Sequence, residues 1–209
     1  LVLQGFSRLD QLPGEMQAEL KTLIGFSQNQ EELRNETGVR DDWFVLAKQI
    51  EKEDNLTTER NWLYGAGSQR YSLILQFYVK GQLPEVNLLP GSFINAELVF
   101  FKGVNSSRAL IKGQHSVVTP KEIKGFGSWR EVLAYSGESY AANPWSNYIP
   151  AIVEDVIPLL GQRMLADQLG EVVGITERFE DFWKLMSISG GKPVRLFAVG
   201  REQSFHPMS

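Results

Sequence analysis

The chain contains no cysteine, so it can form no disulfide and hold no thiolate-bound metal within its own length. Histidine is nearly as scarce. His115 and His206 are the only two, far apart in sequence and unsupported by cysteine, which argues against a structural zinc site. No apolar run approaches the ~20 residues a membrane-spanning helix needs, and no membrane association is expected. The opening stretch LVLQGFSRLDQ has neither the basic start nor the apolar run of a signal peptide. Basic charge is not in excess: 21 Lys and Arg face 25 Asp and Glu, for a net charge of -4. That balance is the reverse of a general nucleic-acid binder's footprint and leaves only a local basic stripe as a route to such binding. Without cysteines or secretion signals, the expectation is a cytoplasmic protein, and the Asn-x-Ser/Thr triplets at Asn35, Asn55 and Asn105 are read as chance.

What is present is ordinary for a globular fold. Hydrophobic residues make up 43% of 209 and charged residues 22%, enough for one large domain or two small ones. The chain begins without Met and ends at FHPMS, and it reads as a fragment of something longer.

The patterning predicts an α+β fold in three parts. Residues 1–40 read as an N-terminal helical segment, with Leu12, Met16, Leu20, Leu23 and Ile24 at helical spacing. Residues 41–118 read as an antiparallel β-meander or small barrel of five strands: DDWFVLAKQIE, RNWLYG, RYSLILQFYVKG, SFINAELVFFKG and RALIKGQHSV. In the third of these, Tyr71, Leu73, Leu75, Phe77 and Val79 share one face, with Ser72, Gln76 and Lys80 on the other. Residues 119–209 read as a helical and mixed α/β portion packing on that module. TPKE and SWRE both carry the capping-box pattern, and NYIPAIVEDVIPLLG places Ile149, Ile152, Val153, Val156, Ile157 and Leu160 on one helical stripe that Pro158 must kink or end. Two short strands around Gly170, a helix in TERFEDFWKLMSISGG ended by Gly190 and Gly191, and a strand in KPVRLFAVGRE complete the reading.

Four constellations could carry chemistry. Gly65 and Gly67, in YGAGSQRY, lack the third glycine and the following helix of a dinucleotide fingerprint, so they read as a hairpin connection where glycine supplies positive φ. Asp41, Asp42, Glu51, Glu53 and Asp54 are acidic but bracket a strand rather than forming a compact calcium loop. A Ser-His-Asp arrangement would have to be assembled in space, with no Gly-x-Ser-x-Gly elbow present and His206 in a tail expected to fray. The fourth is Arg60, Trp62 and Tyr64, alternating on one strand face, with Arg70 across the same turn. Arginines with aromatics on a small β-module are how oligonucleotide-binding folds stack bases and hold phosphates, so these four are the candidate binding residues; the competing reading is that the aromatics are core and Arg60 pairs with a carboxylate.

The stretches DDWFVLAKQIEKEDNLTTERNWLYG, RYSLILQF and LLPGSFINAELVFFKGVNSSRALIK, with the closing FWKLMSISGGKPVRLFAVG and HPMS, resemble the region C-terminal to the finger in bacterial SWIM zinc-finger family proteins. The resemblance covers about residues 40–209. The family's Cys-x-Cys…Cys-x-His element is absent here, so the resemblance implies zinc only in a missing finger region and no cofactor in this chain. It implies a non-catalytic protein-interaction module, with a protein partner, a MoxR-type ATPase system among the candidates. Trp43, Trp62, Pro90, Gly91, Trp183 and Pro193 then read as framework. Single-stranded nucleic-acid binding through the Arg60, Trp62, Tyr64 and Arg70 face is the alternative.

Overall fold

The computed structural model describes residues 2–26, 28–146 and 148–209, and for Gln114, His115 and Val117 the backbone alone. It divides into two compact units, Leu1–Glu122 and Ile123–Ser209, and each closes a five-stranded barrel.

The first unit opens with α1 (Val2–Phe6), α2 (Gly14–Leu23) and α3 (Gln30–Arg34). The Asn29 side chain accepts from Glu31 N–H at 3.0 Å and caps α3. Five strands follow, as the alternation predicts: β1 (Val39–Glu53), β2 (Leu56–Gly65), β3 (Tyr71–Val79), β4 (Phe93–Phe100) and β5 (Arg108–Val117). They close in the order β1-β2-β3-β5-β4, antiparallel except for a short parallel seam in which Leu73 opposes Arg108 and Ile74 opposes Ala109. That strand order is the connectivity of the OB-type Greek-key barrel. Trp43, Val45, Leu63, Ile74, Ile94, Ala96 and Leu98 fill it, joined by Leu88 from the β3–β4 connection. The Trp43 indole N–H donates to the Ala96 carbonyl at 3.1 Å, so the largest core side chain is polar-satisfied.

The alternation in β3 is as read, but its polar face is the one that points inward. Ser72 and Gln76 are buried while Phe77 and Val79 are 56% and 45% exposed. Gln76 stays in the interior because its side chain both donates to and accepts from the Val86 backbone, at 2.8 Å each way, clamping the β3–β4 connection to the barrel.

The second unit corrects the helical reading of 119–161. SWRE does start a helix, α4 (Trp129–Ala142), with Ser128 accepting from Glu131 N–H at 3.3 Å. TPKE does not; residues 118–125 carry no regular secondary structure, and Gly125 lies so close to the Ile152 backbone that a Cβ could not fit. The presumed helix over NYIPAIVEDVIPLLG is a strand, β6 (Ile149–Leu159), and Pro158 sits in it opposite Leu165. A bulge at Glu154 and Asp155, with Asp155 at φ 54°, shifts its register between Val153 and Val156. Inward positions fall at 151, 153 and 156, while Ile152 is buried on the opposite face, so residues 149–153 show no polar alternation to mark a strand.

After β6 come β7 (Met164–Ala166) and β8 (Val172–Ile175) around the Gly170 turn, then α5 (Phe182–Ser189), β9 (Val194–Arg201) and β10 (Ser204–Pro207). Gly190 ends α5 in the left-handed region at φ 58°. The barrel order is β6-β7-β8-β10-β9, with β8 and β10 parallel. This repeats the first unit's connectivity strand for strand. The C-terminal stretch does not fray: Phe205 is fully buried, its ring packed over Gly200 and 5.0 Å from that of Trp129.

Candidate functional site

The β2–β3 turn answers the question its glycines raise. Neither Gly65 nor Gly67 takes positive φ; Gln69 does, at 55°. The glycines instead admit a carboxylate. Gly67 N–H donates to both oxygens of Asp41, at 3.0 and 3.2 Å, and Ser68 N–H donates to Oδ2 at 2.7 Å. A Cβ on Gly65 would meet the same Oδ2 at 2.5 Å. The loop is thus an anion-binding nest of backbone N–H groups, and its anion is the chain's own Asp41. Burial raises the Asp41 pKa, but the hydrogen bonds from Ser68, Gly67 and Asp42 outweigh it and hold the group below the ordinary aspartate range.

The other acidic residues have separate roles. Asp42 accepts from Asn95 at 2.6 Å and pairs with Lys121 at 2.5 Å, which lowers its pKa. Glu51 pairs with Arg60 at 2.7 Å, while Glu53 and Asp54 are exposed at the β1–β2 hairpin. No group of three or more His, Asp or Glu side chains converges on a metal-sized site among the described residues.

Of the four candidate binding residues, three share one face. Arg60, Trp62 and Tyr64 point outward from β2, opposite Leu75, Leu73 and Tyr71 of β3. Trp62 and Tyr64 are only 5% and 7% exposed, and Tyr64 packs on Tyr71 with ring centroids 4.9 Å apart. Arg70 is elsewhere: its guanidinium lies 3.7 Å over the ring of Phe100, which packs against the barrel core. The accessible part of the outward face lies further along the same strands. There Leu56 opposes Val79 and Thr58 opposes Phe77, and Leu56, Phe77 and Val79 are 43%, 56% and 45% exposed. The sequence carried a signal for this. Glu59 and Asn61 alternate with Arg60 and Trp62, and their inward-facing parity also assigns Ser72 and Gln76 to the interior.

That interior is polar at one end. Glu59, 2% exposed, accepts from Asn61 at 2.9 Å, Gln76 at 3.3 Å and the Tyr78 hydroxyl at 3.2 Å, and Lys48 lies 3.2 Å from it. Burial, followed by the Glu59 carboxylate, pushes the Tyr78 phenol above its ordinary value. The arrangement is a satisfied buried charge, which rigidifies the β1–β2–β3 end of the barrel.

A separate groove of about 380 Å³ in this unit runs between α2, α3 and Lys102, lined among others by Lys21, Phe26, Glu32 and Glu36. In the second unit, His206 Nδ1 lies 2.9 Å from the Thr176 hydroxyl and its ring meets Phe179 edge-on at 5.3 Å. Burial lowers its pKa, and Thr176 and Phe179 hold it as a packed, neutral side chain. The His115 side chain lies outside the described residues.

In comparisons with known proteins, no family model, no curated protein and no solved structure matches the chain at a significant level.

Proposed function

We propose that this chain is a non-catalytic protein-interaction module of the kind the SWIM-type resemblance implies, working through the outward face of β2 and β3 in its first barrel. The observation that carries the reading is the division of that face. Its stacking residues, Trp62 and Tyr64, are buried and its Arg60 is neutralised by Glu51, whereas Leu56, Phe77 and Val79 stand exposed beside one another. A nucleic-acid strand needs open aromatics and free cations. An apolar patch beside a hairpin of mixed charge, with Lys52 among Glu51, Glu53 and Asp54 and Lys80 next to Val79, suits a protein surface better than a phosphate backbone.

Purification of the tagged chain from cells that express it, as wild type and as Phe77→Glu, tests the reading. A polypeptide retained by the wild type and by Trp183→Ser, a control at an exposed residue of the second unit, but lost with Phe77→Glu is the expected result. A fluorescent single-stranded oligonucleotide that binds the wild type, with affinity falling steeply between two salt concentrations, would refute it.

A further inference from the structure

The sheet of the first barrel runs on past the barrel. β1 pairs with β4 only over Val39–Phe44, and β3 pairs with β5 only at Leu73 and Ile74, while β1, β2 and β3 stay paired to one another as far as Glu53, Leu56 and Val79. The far ends of these three strands therefore form a ribbon with two open edges. The two edges are built differently. On β1, Glu51, Lys52 and Glu53 are three consecutive exposed charges, the usual guard against strand-to-strand association. On β3, the stretch LQFYV at 75–79 carries no charge, and Phe77 and Val79 stand exposed in it.

Parity decides which backbone groups β3 leaves open. Lys80 N–H donates to the Asn55 carbonyl at 3.1 Å, on the β2 side, and Leu73 N–H donates to the Ser107 carbonyl at 2.7 Å, on the β5 side. Backbone groups alternate sides along a strand, so even-numbered residues of β3 serve β2 and odd-numbered ones face away from it. Past Ile74 no strand pairs with that side among the described residues. The Val79 carbonyl accepts from Gln82 N–H at 3.0 Å, and Leu75 N–H lies beside the seam at Ile74 and Ala109. What remains is the Leu75 carbonyl, the Phe77 N–H and carbonyl, and the Val79 N–H. These are two donors and two acceptors with Phe77 at their centre.

That set complements itself. An antiparallel copy of β3, related by a two-fold axis at Phe77, places Phe77 opposite Phe77 and Leu75 opposite Val79. Each Phe77 then exchanges both of its groups with the other, and each Val79 N–H meets the other copy's Leu75 carbonyl, so four bonds form and none of the open groups is left over. The outward side chains agree with this register: Phe77, 56% exposed, meets its mate, and Val79, 45% exposed, meets Leu75. Charge agrees as well. The first charged residue, Lys80, lies three positions from the axis, so the two lysines stand roughly 20 Å apart and no like charges meet. We infer that the open β3 edge pairs with the same edge of a second copy of the chain, making a two-fold dimer centred on Phe77. This dimer rests on the interaction reading above and names its partner.

Analytical ultracentrifugation of the full chain is the test. Over about 1 to 300 µM the wild type is expected to pass from monomer to dimer with a Kd on the order of 10–100 µM, as suits a small interface. Phe77→Lys and Phe77→Glu each set two like charges against one another on the axis and are expected to weaken the dimer about tenfold or more. Mixed in equal amounts, the two variants are expected to associate more tightly than either alone, because only at a residue that faces itself do the two substitutions meet as opposite charges. That recovery also shows that both variants fold. Trp183→Ser, at an exposed residue of the second unit, is expected to dimerise like the wild type. A wild type that stays monomeric at about 300 µM overturns the dimer; a foreign polypeptide retained by the wild type and lost with Phe77→Glu would then still uphold the interaction reading. Position 77 variants that dimerise like the wild type, or a mixture no more associated than its parts, overturn the dimer as well.

Discussion

Replacing Asp41 by asparagine tests whether the glycine turn is a filled anion nest. The carboxylate receives Gly67 N–H at 3.0 Å and Ser68 N–H at 2.7 Å, and Asp42 N–H of its own strand at 2.7 Å. Hydrogen bonds to a charged group contribute about 1.5–3 kcal/mol each when well shielded, against about 1 for neutral partners. Asp41 is only half-buried, so solvent screening cuts the difference. Asp41→Asn should then cost about 1 kcal/mol at pH 7, and Asp41→Ala, which strips both turn N–H groups, about 2. The pH dependence has a definite sign. The folded-state pKa is depressed, so the carboxylate's contribution is complete above its unfolded value near 3.9 and disappears as pH falls through the lower folded value. Urea unfolding of wild type and Asp41→Asn at pH 7 and again near pH 3 measures this directly, since other acidic groups cancel in the difference. A variant as stable as wild type at pH 7, or a gap that persists undiminished well below pH 4, would refute the nest.

Three other perturbations follow from the same structure. Lys48→Met leaves the Glu59 carboxylate buried without its cation and should cost about 3 kcal/mol; adding Glu59→Gln should restore much of this, and a double-mutant cycle with no coupling would contradict the buried pair. The Ser72 hydroxyl is fully buried and has no hydrogen-bond partner among the described residues, so Ser72→Ala should stabilise the chain by about 1 kcal/mol in urea unfolding, and a loss of that size would show that the hydroxyl is satisfied. Ser128→Ala removes the N-cap of α4 and should cost about 1 kcal/mol, whereas Ser128→Thr, which keeps a hydroxyl acceptor, should cost less; equal losses for both would mean that the cap is idle.

Much of the first barrel was legible because its five strands alternate and are joined by short turns. The strand Ile149–Leu159 was not. A bulge between Val153 and Val156 breaks the two-residue period, and residues 149–153 are buried on both faces, so no apolar-polar alternation marks the strand. The composition held the corrective signal: five of the six stripe residues are Ile149, Ile152, Val153, Val156 and Ile157, β-branched throughout, with Pro150 within the run and Pro158 directly after it. The short β10 was missed because four residues ending at a proline carry too little pattern, although Phe205 completes a core. That the second half repeats the first barrel's connectivity was invisible for a related reason. What the two halves share is strand order and direction, and no residue pattern encodes those alone.

In the candidate site, the alternation of Arg60, Trp62 and Tyr64 was readable, but exposure was not. Burial of Trp62 and Tyr64 depends on tertiary packing, while Phe77 and Val79 looked like core residues because they are apolar.

What meets the outward face at Phe77 decides whether the first barrel is an interaction module. A photoreactive phenylalanine analogue placed at position 77, irradiated in cells that express the chain, reports it without purification. The prediction is a discrete crosslink to a polypeptide that disappears when the same analogue is placed at the buried Ile74 position, and crosslinking to nucleic acid alone, or to nothing, would contradict it.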